Sequence, residues 1–160
     1  MALVKPAFFD TSILVGGLIE IGPEAEAAQA VMAAIATGRV AKPATAWHCC
    51  LEFYSVTTRL PPEFRLSPQD ALHLLEEEIL GRFEVHELPR KSRLPLFRSA
   101  ASNRTVGGRI YDAHIGAIAV EAGARAVVTE NVRHFSNLPG HGIEVLTASE
   151  FISRLNSPKK

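Results

Sequence analysis

The sequence predicts an α/β fold: a central, mostly parallel sheet covered by helices on both faces. Two observations carry this. Apolar runs of strand length, such as "ARAVVT" and "GIEVLT", are separated by longer stretches with helical caps and helical apolar spacing, and strands joined through helices pair in parallel. The composition, 47% hydrophobic and 21% charged over 160 residues, suits one domain with a buried core rather than a disordered chain.

In chain order, residues 3–9 read as a short buried strand, with Pro6 near its start where a missing N–H is tolerated. A short helix follows from Thr11 to about Glu20. "GPEAEAAQAVMAAIATG", 22–38, is a helix: Pro23 suits its first turn, Glu24 and Glu26 favour its N-terminal dipole, and Gly38 suits its end. Arg39–Ala41 reads as a brief strand and 44–60 as a helix stopped by Pro61 and Pro62. "SPQD" opens the next helix, with Ser67 as cap and Asp70 in capping-box position, running to about Leu80. "RFEVHEL", 82–88, alternates like a strand. A weaker helix at 91–102, a loop through "ASNRTVGGR", a helix at 110–122 and a buried strand at 124–129 follow. A turn or short helix at 131–138, a last strand at 142–147 and a last helix at 148–155 complete the domain, 1–155, leaving 156–160 as a frayed tail.

Formal net charge is zero, so bulk electrostatics decide nothing about a nucleic-acid partner. The two cysteines, Cys49 and Cys50, are neighbours; they form no disulfide framework and fit a reducing compartment. The N-terminus lacks a signal-peptide pattern, and no apolar run reaches the ~18 residues of a membrane span. A cytoplasmic protein with no membrane partner is the expectation.

Sites in parallel sheets form at the carboxyl ends of strands. "AFFDTSILV", 7–15, ends its strand on Asp10, and Thr129–Asn131 ends another. Asp112 lies in the first turn of an otherwise apolar helix. Glu52 sits mid-helix in "AWHCCLEFYSVTTRL", beside His48, Cys49, Ser55 and Val56, a face that reads as largely buried. Each acid alone has a plain explanation: Asp10 and Asp112 as helix caps, Glu52 as a solvated or paired acid. Together they are what an oxygen-ligand Mg²⁺ or Mn²⁺ site needs.

"FFDTSILV", "CLEFYSV", "RIYDAHIGAIAVEAGARAVVTENVRHF" and "GIEVLTASEF" occur in the order of the signature blocks of PIN-domain ribonucleases. The chain resembles that family, and within it the VapC toxin branch of type II toxin–antitoxin systems. The third block is the most specific. The resemblance implies a PIN-like three-layer α/β/α sandwich and a metal-dependent endoribonuclease acting on RNA. It makes Asp10, Glu52 and Asp112 acidic ligands of Mg²⁺, with Mn²⁺ as a substitute. Asn131 falls where the family often has a fourth acid, and His134 where an Asp often precedes the Phe. A homodimer and a small VapB-like antitoxin are also implied. Ser12 and Thr129 are placed to hydrogen-bond the ligands or ordered water, and Arg109, one turn before Asp112, to pair with it or grip phosphate. Arg59, Arg104 and Arg133 are further candidates for phosphate contact.

Other readings rank lower. "HCC" at 48–50 lacks the paired spacing of a zinc site. His114 and His134 read as structural, and Trp47, Phe53 and Tyr54 as core, with one or two available to a partner helix. Gly107-Gly108 is a flexible loop with no P-loop pattern. A haloacid-dehalogenase-type phosphatase needs an Asp where Ser12 stands, and a receiver domain needs an acid pair and a late Lys that are missing. An α/β interaction module whose acids are caps, and a PIN-domain RNA-processing nuclease without antitoxin, are the alternatives. The absence of an appended RNA-binding module favours the toxin over the latter.

Overall fold

The structure, a computed structural model, describes residues 5–158. Five short strands are β1 (Ala7–Phe9), β2 (Ala44–Ala46), β3 (Glu84–His86), β4 (Ala126–Val128) and β5 (Glu144–Leu146). They form one sheet in the order β3-β2-β1-β4-β5, and all four pairings are parallel. Helices cover both faces, as the alternation of apolar runs and helical segments requires. These are α1 (Thr11–Leu18), α2 (Glu26–Ala36), α3 (Trp47–Thr57), α4 (Pro68–Leu74, continued by a π-helical turn at Leu75–Leu80), α5 (Arg90–Ser102), α6 (Arg109–Glu121) and α7 (Ala148–Asn156).

The core is layered on β1, β4 and β2, whose residues Ala7, Phe8, Phe9, Ala44, Ala46, Val127 and Val128 are fully buried. Strands covered on both faces read as continuous apolar runs rather than alternations, and β1 and β4 do. Phe9 packs edge-on against Phe83 and Phe151 at ring distances of 5.9 and 5.4 Å. Gly17 lets α1 approach α2: a Cβ there would meet Met32 and come within 2.8 Å of the Ala28 carbonyl.

Several expected boundaries move. The first strand is confined to Ala7–Phe9; Met1–Val4 lie outside the described residues, and Lys5 and Pro6 belong to no element. Arg39–Ala41 is a bend, not a strand. The second strand is Ala44–Ala46, which the sequence assigns to the helix after it. Pro43 breaks the chain there, and Thr45 is fully buried with its hydroxyl donating to the Phe9 carbonyl at 2.7 Å. Asn156 is the last helical residue rather than tail, and Arg39 Nη2 donates to its Oδ1 at 2.7 Å. Among the described residues no helix is long and apolar enough to cross a membrane.

Candidate functional site

The strand order places β1 at the point where connections reverse direction. The chain leaves β1 toward β2 and β3, then returns to add β4 and β5 on the other side. Such a reversal opens a crevice beyond the carboxyl ends of the two central strands. Asp10 and Thr129, the residues that follow β1 and β4, stand at its edge. The Asp10 N–H donates to the Val128 carbonyl at 3.0 Å and the Thr129 N–H to the Leu146 carbonyl at 2.8 Å, so each is positioned by the sheet itself.

Asp10 occupies the N-cap position of α1 with extended backbone, yet its side chain makes no capping hydrogen bond. Its Oδ2 instead accepts from Thr129 Oγ1 at 2.8 Å and Ser12 Oγ at 3.1 Å. Thr129 Oγ1 also accepts from the Asn131 N–H at 2.9 Å, and Ser12 Oγ from the Glu130 N–H at 3.0 Å. Two hydroxyls thus fasten the β4 turn to the end of β1 and hold a carboxylate that is only 5% exposed. A buried acid fixed this way is oriented, not merely tolerated.

Glu52 projects from α3 and accepts from Thr11 Oγ1 at 3.2 Å; His48 Nε2, one turn back, lies 3.3 Å away. The face around it is less enclosed than expected, since Glu52 and Val56 are half-buried and Ser55 is exposed. Asp112, in the first turn of α6, lies 3.2 Å from His134 Nδ1. Burial pushes both carboxyls above the usual carboxylate range. The Asp10 charge adds to this in each, and Asp112 adds further to Glu52, while Thr11 and His134 respectively oppose it.

Asp10, Glu52, Asp112 and Asn131 line a single cavity of about 420 Å³, with Thr11 and Ser12 at its base. Among the described residues, no three acidic, histidine or cysteine side chains stand close enough to share one ion. Two of the acids are turned to local partners, Glu52 to Thr11 and His48 and Asp112 to His134. The donor set nevertheless fits a hard divalent cation, because it is all oxygen and the Asp10 charge raises the pKa of both Glu52 and Asp112. Glu24 and Glu130 line the same cavity and were not predicted. Glu130 follows Thr129 directly, and its Oε1 accepts from the Ala148 N–H at the start of α7 at 3.0 Å.

The PIN-domain family profile matches residues 6–133, from β1 through the turn carrying Asn131. The chain belongs to the PIN-domain family. This PIN domain is 33% identical over 102 residues to Ribonuclease VapC27 of Mycobacterium tuberculosis (strain ATCC 25618 / H37Rv), a match covering 64% of the chain and 72% of that relative. Its fold is similar to that of a chain in the structure of VapBC-1 from nontypeable Haemophilus influenzae (TM-score 0.63, 13% identity, 90% of this chain and 98% of that one). It is also similar to a chain of FitAcB from Neisseria gonorrhoeae (TM-score 0.58, 18% identity, covering 89% and 98%).

Other predicted residues of this PIN domain fall differently. Asn131 is exposed at the cavity rim, with its backbone rather than its side chain engaged. Arg109 forms no ion pair with Asp112; His134 takes that place, and Arg109 only lowers the Asp112 pKa through space. His48 and His114, 66 residues apart, meet with Nδ1 atoms at 2.8 Å. Phe53 is core, but Trp47 and Tyr54 are 45% and 41% exposed. Trp47 instead borders a second, mostly apolar cavity of about 610 Å³ with Leu51, Leu88, Phe97, Tyr111 and Ile118. Cys49 and Cys50 are buried and free, with burial pushing their thiols up to about 12 and about 11.

Proposed function

We propose that this PIN domain is an endoribonuclease that hydrolyses RNA phosphodiester bonds with Mg²⁺, for which Mn²⁺ substitutes, and that it is the toxin of a VapBC-type pair. One observation carries the chemistry. Asp10, Glu52 and Asp112 share one cavity at the sheet's switch point, where burial and the Asp10 charge hold Glu52 and Asp112 above the usual carboxylate range. An acidic pocket of this kind repels an anionic phosphodiester until a divalent cation neutralises it.

Asp10, Glu52 and Asp112 would hold the metal, with the Asn131 carbonyl oxygen as a weaker fourth donor. When bound, the metal supplies a hydroxide-like nucleophile at neutral pH and charge neutralisation of the scissile phosphate. Thr129 and Ser12 occupy Asp10 Oδ2 and so fix the plane of that carboxylate. Thr11 steadies Glu52, and His134 steadies Asp112. No protein nucleophile is needed.

The likeness to VapC27 supports the toxin reading, as does the second cavity. Leu51 and Phe97 on its rim are 58% and 61% exposed, and an apolar groove of this kind suits the apolar face of an amphipathic helix. A small cognate antitoxin laid there would sit beside Glu52 and could push a basic side chain into the acidic cavity. The family also implies a homodimer, and an RNA substrate implies the cytoplasm. The test is sequencing of RNA ends after brief expression of wild type and Asp10→Asn. New ends from wild type alone, lost in EDTA in vitro and accompanied by growth arrest that a neighbouring small protein relieves, are expected. Full cleavage in excess EDTA would defeat the metal mechanism. Cleavage without toxicity would favour an RNA-processing nuclease lacking an antitoxin.

A further inference from the structure

A third cavity, about 700 Å³, runs from the acidic site along α6, and Asp112 lines both. Its floor is one face of α6 from Arg109 to Glu121, about 18 Å long at about 1.5 Å per residue. Its walls are α5 and the segment 134–141. We propose that this groove is a track for the sugar–phosphate backbone of single-stranded RNA on one side of the scissile bond, with Arg104 and Arg109 as its phosphate-binding residues. The proposal rests on the ribonuclease reading above and adds the path of the strand.

Three observations carry it. First, Arg104 and Arg109 line the groove and neither forms an ion pair among the described residues. The two acids there are already engaged, Asp112 by His134 and Glu121 by the Ser92 hydroxyl at 2.6 Å. In a chain of zero net charge, two guanidiniums on one groove, neither held in an ion pair, have donors to offer phosphate oxygens. Second, Arg104 holds a left-handed backbone, φ 55°, which a non-glycine residue adopts at a cost. The turn is enforced by the Thr105 N–H on the Ala100 carbonyl at 2.8 Å and presents the side chain to the groove. Third, among the described residues no tryptophan, tyrosine or phenylalanine lines the groove, whereas Trp47, Phe97 and Tyr111 line the apolar one. With donors but no stacking platform, the groove reads backbone charge rather than base identity.

The experiment uses the full chain carrying Asp10→Asn and a fluorescent single-stranded RNA, titrated at several salt concentrations, with Arg104→Asn, Arg109→Gln and Arg104→Lys added singly. Asparagine tolerates the left-handed turn, so Arg104→Asn removes charge without refolding the loop. Each charge-removing variant is expected to weaken binding roughly tenfold and to flatten the slope of log affinity against log salt by about 0.7, one phosphate contact on a single strand. Arg104→Lys should keep most of the slope. Arg65→Gln, an exposed cation outside the groove, should bind like the parent. Unchanged affinity and slope in Arg104→Asn and Arg109→Gln, with wild type still cleaving RNA, would overturn the groove alone. If wild type cleaves no RNA, the ribonuclease reading falls, while a flattened slope in the binding assay would still uphold the groove.

Discussion

Thr129→Val tests the idea that the sheet's carboxyl ends and the central acid are held by one hydroxyl. Valine keeps the shape of threonine and deletes Oγ1. That atom donates to Asp10 Oδ2 at 2.8 Å and accepts from the Asn131 N–H at 2.9 Å. A hydrogen bond to a charged group contributes about 1.5–3 kcal/mol. Ser12 still reaches Asp10, and water can reach the exposed Asn131, so the net loss should be about 2–3 kcal/mol. For a chain of this size that lowers Tm by roughly 4–12 °C. Thr129→Ser keeps the hydroxyl and loses one buried methyl, costing about 1 kcal/mol. In an Asp10→Asn background the acceptor is neutral, so Thr129→Val should cost about 1 kcal/mol less there, a coupling that a double-mutant cycle resolves. Urea melts in EDTA of wild type, the three single variants and the double variant measure these differences. A valine variant no less stable than the serine variant, or strict additivity with Asp10→Asn, would refute the reasoning.

Three further outcomes follow from the geometry. Burial, and then Asp10, raise the Glu52 pKa, so the folded protein keeps that proton to higher pH than the unfolded chain; stability from this group is full below the ordinary glutamate value and lost as pH rises through the folded value. Metal-free Glu52→Gln should therefore melt higher than wild type near pH 7 and lose that advantage near about pH 4, the ordinary glutamate range; an equal advantage at both would contradict the pocket's electrostatics. Asn131→Asp should lower the Mg²⁺ concentration for half-maximal cleavage and Asn131→Ala raise it, each by several-fold, because a carboxylate adds Coulomb attraction that its own desolvation only partly cancels; superimposable titrations would remove Asn131 from the metal's surroundings. Leu51→Asp puts a charge on the exposed rim of the apolar groove and should abolish co-purification with the antitoxin; an intact complex would move the docking surface elsewhere.

That three acids would meet in one cavity was legible because each interrupts an apolar context: Asp10 after two buried phenylalanines, Glu52 alone on its helix, Asp112 opening a run of Ala, Ile and Val. The β2 strand was not legible. Ala-Thr-Ala has weak strand propensity, and it is a strand because Phe8 and Val85 pair with it from either side. Trp47 and Tyr54 read as core because aromatic residues usually are, whereas both are exposed, and Trp47 lines the apolar groove that was the alternative for one or two of them. The pairing of His134 with Asp112 spans 22 residues and depends on how the turn after β4 meets α6, which local spacing does not encode.

The sheet order explains why the site must lie where it does. With β1 central and connections leaving it in opposite directions, a crevice opens beyond Phe9 and Val128. The polar groups there are enclosed, Asp10 and Thr129 both buried, and the strands behind them are among the most tightly buried in the molecule. Asp10 inherits that rigidity through its own N–H in the ladder, and Thr129 through its N–H to Leu146. Glu52 and Asp112 lack such anchoring; Glu52 rides mid-helix on α3 and Asp112 on the first turn of α6, and their partners, His48 and His134, are side chains. The cavity is therefore half fixed and half adjustable: one acid is held by the sheet, and two are held by side-chain partners alone. Disturbing Thr129 should damage both folding and catalysis, whereas disturbing His134 should leave folding nearly intact and act on Asp112 alone.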